Sequence, residues 1–371
     1  MKKFSLTLAL ILSLTLIFAS CGLAEPPTVG EGDANDSEGT NPNSEGNSIS
    51  DSEGNSISDS EGNSISDSEG DTSDDTAKGD GSEADAGEGG AKDTPDENAE
   101  LEFTSNGDGT CYVSGIGGVT DSEIVIPNVS PAGERVVAIG SSAFLDCDTV
   151  ITVVIPDGVE SIGDNAFAWC DGLTGVEIPE SVTDIDSAAF FCSTSLKSIE
   201  IGNGVKSIKY GTFFGCSKLE RIVIGDGVES IGKDAFRGCG SLTDVELPDG
   251  VRSIGEWAFH ECESLGSIRL PNSVTEIGSY AFYKCTSLES VVIGNGPESI
   301  SEYTFARCEN LKRIVIPESV TEVGSRAFEN CDSITDVYYT GDEDSYAKIH
   351  FAWGKPGSNE TAFHYNYVPE K

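Results

Sequence analysis

Apolar positions along the chain follow one period. Phenylalanines fall at 144, 167, 190, 213, 236, 259, 282, 305 and 328, and every interval is 23 residues. Branched apolar residues keep the same step at Ile139, Ile162, Ile185, Ile208, Ile231, Ile254, Ile277, Ile300 and Val323. A leucine column runs Leu173, Leu196, Leu219, Leu242, Leu265, Leu288 and Leu311, with Val150 before it and Ile334 after. A fixed period of roughly 20–50 residues is the mark of stacked coils, in which each unit buries its apolar face against the next.

One unit, Leu242 to Cys262, predicts the local structure. Val245 and Leu247 alternate with Asp244 and Glu246, which is the pattern of a half-buried strand. Pro248-Asp249-Gly250 is a turn. Val251 and Ile254 then predict a second short strand-like segment, and Gly255 is expected to supply a positive φ. Ala258, Phe259 and Cys262 follow on helical spacing, which predicts one short helical turn returning the chain. The phenylalanine column is read as an internal ladder, since stacked strands lie about 4.8 Å apart.

These residues carry a resemblance. Ile178-Pro179-Glu180-Ser181-Val182, Ile277-Gly278, Ala281-Phe282, Cys285 and Leu288 recur along the body. The pattern resembles the BspA-like leucine-rich-repeat bacterial cell-surface proteins. That resemblance implies surface placement, roles in adhesion to host or bacterial partners, and no conserved catalytic site. Three departures are local: Cys192 sits one place early, the unit over 126–155 has six extra residues, and Pro297 replaces an inward Val. The expected fold is α/β but predominantly β: a right-handed leucine-rich-repeat solenoid of about nine 23-residue repeats over 126–339. Asn106-Gly107-Asp108-Gly109 reads as a hairpin turn within an N-terminal β cap over 101–125. A C-terminal cap is expected over 340–371, opened by the aromatic run at Tyr338-Tyr339.

The N-terminus has a different character. Lys2 and Lys3 precede an apolar run from Leu6 to Phe18, then Ala19, Ser20 and Cys21, which reads as an export signal over 1–21. Phe18-Ala19-Ser20-Cys21 resembles a bacterial lipobox, which implies lipidation of Cys21 and anchoring in a membrane through that lipid. Residues 22–100 hold 23 acidic residues and 2 lysines, and an octapeptide, Asp-Ser-Glu-Gly-Asn-Ser-Ile-Ser, recurs from Asp51 and Asp59. Such a composition buries too little apolar surface to offset ordering and predicts a disordered acidic tether. Its repeats lack the ligand order of a calcium-binding loop.

Charge narrows the function. The whole chain carries a formal charge of -42. That argues against nucleic acid, whose binding is driven by Lys and Arg at the phosphates. His260, His350 and His364 fall in no pattern that would activate a nucleophile, and His260 is read as exposed beside Phe259. No Cys-x-x-Cys with a partnering histidine suggests a metal, and no phosphate loop suggests a cofactor. Cys147, Cys170, Cys192, Cys216, Cys239, Cys262, Cys285, Cys308 and Cys331 are read as small buried residues at one inward corner, mainly free thiols. Scattered disulfides among them remain the alternative.

Solenoids present an extended face to partners. Here its central outward column reads Val154, Glu177, Glu200, Val223, Glu246, Arg269, Val292, Val315 and Tyr338. Its first half is largely acidic. Its last three residues form an apolar strip flanked by Arg269 and Arg313. The expected function is a lipid-anchored cell-surface binding protein, not an enzyme, with Arg269, Val292, Arg313, Val315 and Tyr338 as the candidate surface. Its expected partner is a host matrix or bacterial surface protein. The alternatives are a surface hydrolase and a passive spacer.

Overall fold

The computed structural model describes residues 100–369. The expected signal segment, Cys21 and residues 22–99 of the expected tether lie outside the described residues. What is described is a predominantly β parallel solenoid. Each coil contributes to two columns of short strands. The first column opens with β3 (Glu123–Val125) and β5 (Thr152–Val154) and repeats through Gly175–Glu177, Ser198–Ile201 and Arg221–Ile224. It resumes at Ser267–Leu270 and ends at Ala362–His364. The second column begins with an antiparallel pair, β1 (Glu102–Ser105) and β2 (Thr110–Gly115), joined through the turn at Gly107 and Gly109. There β2 pairs in parallel with β4 (Arg135–Ile139), and two-residue strands such as Ser230–Ile231 and Ser253–Ile254 carry the column onward.

Equal coil length puts like side chains over like. Pairs such as Ile222 on Ile199 and Ile254 on Ile231 follow from that register. The phenylalanines from 144 to 305 are fully buried. Along their column, neighbouring ring centroids stand 5.0–5.7 Å apart and nearly parallel. Offset stacking adds to the burial of each ring. Pro297 is buried in its Val position without breaking the stack.

The return arm differs from the helical turn that the Ala-Phe-Cys spacing suggested. It holds no helix. In all nine coils the residues two before and two after the phenylalanine have φ between 53° and 73°, including Trp169, Trp257, Tyr280 and Tyr303. These left-handed residues turn alternate amide N–H groups along the solenoid axis. Phe167 N donates to Ala189 O at 2.7 Å and Phe236 N to Ala258 O at 2.8 Å. A helix would spend the same donors inside its own turn. Left-handed backbone costs a non-glycine residue about 1 kcal/mol or more. One bond to the next coil for every second residue offsets that cost. Gly255, expected at positive φ, is outside the left-handed region. Its role is close approach: a Cβ there would lie 2.5 Å from the Gly232 carbonyl carbon.

The cysteine column also has a sharper role than small bulk. Cys170, Cys216, Cys239, Cys262, Cys285, Cys308 and Cys331 each donate Sγ–H to the phenylalanine carbonyl of the preceding coil, at 2.9–3.2 Å. Cys192 is not in this column. Ser193 holds the place and donates Oγ–H to Phe167 O at 2.6 Å. The corner selects a small donor, and a hydroxyl serves as well as a thiol. Seven of these thiols besides Cys111 and Cys147 complete the nine buried free cysteines among the described residues. Cys239→Ser is expected to stay within about 1 kcal/mol of the parent in urea unfolding. Cys239→Val, which keeps bulk and loses the donor, should cost about 1–2 kcal/mol. Equal costs for the two would remove the hydrogen bond from the account.

Beyond the last full coil the chain closes the core with aromatics. The single turn α1 (Glu343–Tyr346) is capped by Asp342, whose carboxylate accepts from Ser345 N at 2.8 Å. Tyr346 is buried among Tyr339, Phe351, Phe363 and Tyr365, with centroids 5.2–5.8 Å away.

Candidate functional site

The strand register builds the outward face residue by residue. Val154 lies beside Glu177, Glu200 beside Val223, and Arg269, Val292, Val315 and Tyr338 follow in order. Two further members extend it, Val125 beside Val154 and His364 beside Tyr338. Sequence reading missed both, because each lies outside the regular 23-residue step.

The first column is interrupted at Asp244–Leu247. Val245 and Leu247 are buried and Asp244 and Glu246 exposed, as the alternation requires. Yet within this column one isolated bridge, Arg221 to Asp244, stands where the other coils have a ladder of strand pairs. A cleft of about 570 Å³ opens there, bordered by Glu220, Asp226, Asp244, Glu246 and Asp249 with Arg221. Five carboxylates against one guanidinium repel one another across this cleft and work against close strand pairing. A second cleft of about 520 Å³ lies over Val154, Glu177, Glu200 and Val223.

The five residues expected to form the binding surface fare differently. Arg269 is exposed, and Val292 is half-buried beside it. Val315 is fully buried, a correction to its outward reading. The cause is local: Val292 and Tyr338 flank it in the sheet, and the Arg313 guanidinium lies 4.3 Å from the Tyr338 ring centre. Arg313 also donates to the Tyr367 hydroxyl, and Tyr367 packs 4.6 Å from Tyr338. His364 stacks on Tyr338 at 4.4 Å and sits 2.9 Å from Asp336. Hydrogen bonds from His364 and then Thr335 hold Asp336 below the ordinary aspartate range. The chain's own tail therefore covers Tyr338 at the C-terminal end of the strip, while Glu177, Glu200 and Glu246 in the acidic half are exposed.

His260, expected to be exposed, is buried at 2% exposure. It stacks on Tyr283 at 5.1 Å and lies 5.0 Å from Trp257. Its Nδ1 is 3.5 Å from Glu261, whose other oxygen binds Lys284 at 2.7 Å. One coil earlier, buried Arg237 lies 3.5 Å from Asp234 and 4.9 Å from the Trp257 ring. Burial pushes His260 below the ordinary imidazole value. No periodic signal announced this cluster, because each coil supplies a different residue to the same place. Asp234, Arg237, Trp257, His260 and Glu261 are buried in it and pack the return arm. Among the described residues no three His, Cys, Asp or Glu are grouped to hold a metal ion.

Geometry and period together point to one class of repeat. A model of the BspA type leucine-rich repeat region matches residues 137–246 and 229–352, in six copies. The chain belongs to the BspA-type leucine-rich repeat family. Among curated proteins no match to it is found. Solved structures of similar fold include a leucine-rich cell surface protein from Faecalibacterium prausnitzii A2-165. It is 24% identical, with 68% of this chain and 96% of that chain covered and a TM-score of 0.35. The T. pallidum leucine-rich repeat protein is 24% identical, with 72% and 100% covered and a TM-score of 0.38. The pneumococcal vaccine antigen PcpA is 13% identical, with 74% and 98% covered and a TM-score of 0.39. In this BspA-type chain the repeat holds the outward side chains of the strand face in register from Val154 to Glu177, from Glu200 to Val223 and from Arg269 to Tyr338.

Proposed function

We propose that this protein is a lipid-anchored cell-surface adhesin that binds a host matrix or bacterial surface protein through the open part of its strand face. One observation carries the reading. Glu177, Glu200 and Glu246 project from the exposed strand face beside two clefts bordered by further carboxylates. Rigid, closely spaced charge of one sign selects a protein surface of the other sign and speeds its encounter. The partner is therefore a protein with a basic patch. Val315, which is buried, and Tyr338, which the tail covers, take no part, and Arg269 marks the edge of the site.

Converting Glu177, Glu200 and Glu246 together to lysine is expected to leave folding intact, since all three are exposed. Adhesion of protein-coated beads to immobilised matrix proteins and to neighbouring bacterial surface proteins should fall by about tenfold or more, and raised salt should weaken the parent likewise. Adhesion unchanged by both would remove the strand face from the reading. The anchor is tested apart. Cys21→Ala should abolish incorporation of labelled fatty acid and release the protein into the medium; a labelled, cell-bound variant would exclude lipidation at Cys21.

A further inference from the structure

The first strand column starts without a cover. The hairpin of β1 and β2 caps only the second column, so β3 is the outermost strand of its sheet. In a parallel ladder a residue's N–H and C=O point to the same side, and the side alternates along the strand. Ser122 accepts from Thr152 N and Ile126 N donates to Val154 O, so these residues and Ile124 face β5. The amides and carbonyls of Glu123 and Val125 then face outward, and neither residue has a backbone partner there among the described residues.

Beside this edge lies an open mouth of about 490 Å³ between β1 and β3, floored by Leu101, Phe103, Val119 and Ile124. Leu101, Phe103 and Val119 are only partly buried against the core. Val125 is 71% and Val129 51% exposed. The carboxylates of Glu100, Asp121 and Glu123 border the same mouth and are all exposed. An unpaired edge and an apolar pocket beside it are the parts of a strand-addition site, and the negative rim sets the charge of the strand it would take.

We propose that β3 takes an extended segment of a partner protein as an added strand. The segment alternates apolar residues, which enter the mouth, with lysine or arginine, which meets the three carboxylates. Charge excludes the nearer candidates. A second copy would set the same carboxylates against their own kind. The chain's own residues 22–100, with 23 acids and 2 lysines, carry the wrong sign.

The test uses the full chain and labelled heptapeptides read by fluorescence anisotropy. Thr-Lys-Val-Lys-Val-Lys-Thr is expected to bind saturably with a Kd of about 1–100 μM. Thr-Lys-Pro-Lys-Pro-Lys-Thr has the same charge but lacks the ladder donors, and should bind about tenfold more weakly or not at all. A version with Glu for Lys should not bind. Val125→Pro removes an outward N–H, and Glu123→Lys with Asp121→Lys inverts the rim. Each should weaken the first peptide about tenfold. The charge variant keeps the test intact should the proline variant fail to fold. Equal binding of the valine and proline peptides overturns the proposal. So does binding unchanged by the charge variant, or sedimentation showing a dimer that Val125→Pro dissolves.

Discussion

Phe236→Ala is expected to cost about 3–5 kcal/mol, the usual range for emptying a fully buried aromatic site. Phe236 is fully buried, with Phe213 5.4 Å away on one side and Phe259 5.1 Å on the other. Its loss opens a hole that cannot collapse, because the backbone on both sides is fixed by coil-to-coil bonds such as Phe236 N to Ala258 O at 2.8 Å. It also removes two ring contacts at once. A solenoid's stability is close to a sum of neighbour terms, so a break at the middle uncouples the two halves. Phe328, only partly buried at the end of the ladder with one neighbour at 5.7 Å, should cost about half as much when cut to alanine. Urea unfolding of both variants gives the comparison. A middle variant losing less than the end variant would refute a continuous apolar spine.

Glu261→Ala is the second large effect. Its carboxylate is nearly buried and holds the Lys284 ammonium at 2.7 Å. Burial works against its charge, but His260 and Lys284 outweigh that and bring Glu261 down to about 2. Removing one member of a buried pair commonly costs about 3–5 kcal/mol. Here about 2 kcal/mol is expected, because the Lys284 side chain is 31% exposed and can turn to water. The double variant with Lys284→Ala should cost less than the two single losses together, and strict additivity would dissolve the pair.

The pH dependence of the cluster has two opposed parts. Glu261 contributes stability present above the ordinary glutamate value of 4.5 and lost as pH falls through about 2. His260, lowered by burial, acts in the same direction from 6.5 downward, because the unfolded chain takes up the proton first. Asp234 acts against them. Burial, only partly countered by Arg237 and Lys233, raises it from 3.8 to about 6. Its penalty is present above about 6 and relieved as pH falls toward 3.8. Asp234→Asn should therefore raise the thermal midpoint near about pH 7.5 and change it little near about pH 4.5. A gain of equal size at both values would assign the effect to something other than charge.

The sequence by itself determined the coil length, the inward columns and the register of the outward face. Those follow from a strict period: when every unit is 23 residues, identical positions must superpose, and the apolar ones must be inside. Phe167, Phe190 and Phe213 queue as their spacing demands. Three things were decided only by the tertiary structure. The return arm of Ala258-Phe259 has helical spacing but left-handed residues at Trp257 and Glu261, because its donors serve the next coil. Val315 and His260 are buried by non-repeating neighbours, Arg313 with Tyr338 in one case and Trp257 with Tyr283 in the other. The bare edge of β3 exists because the capping hairpin pairs with the other column. Periodicity reports what each coil shares. Burial by a unique neighbour, and the place where stacking stops, depend on residues that occur once, so they become legible only when the chain is folded around them.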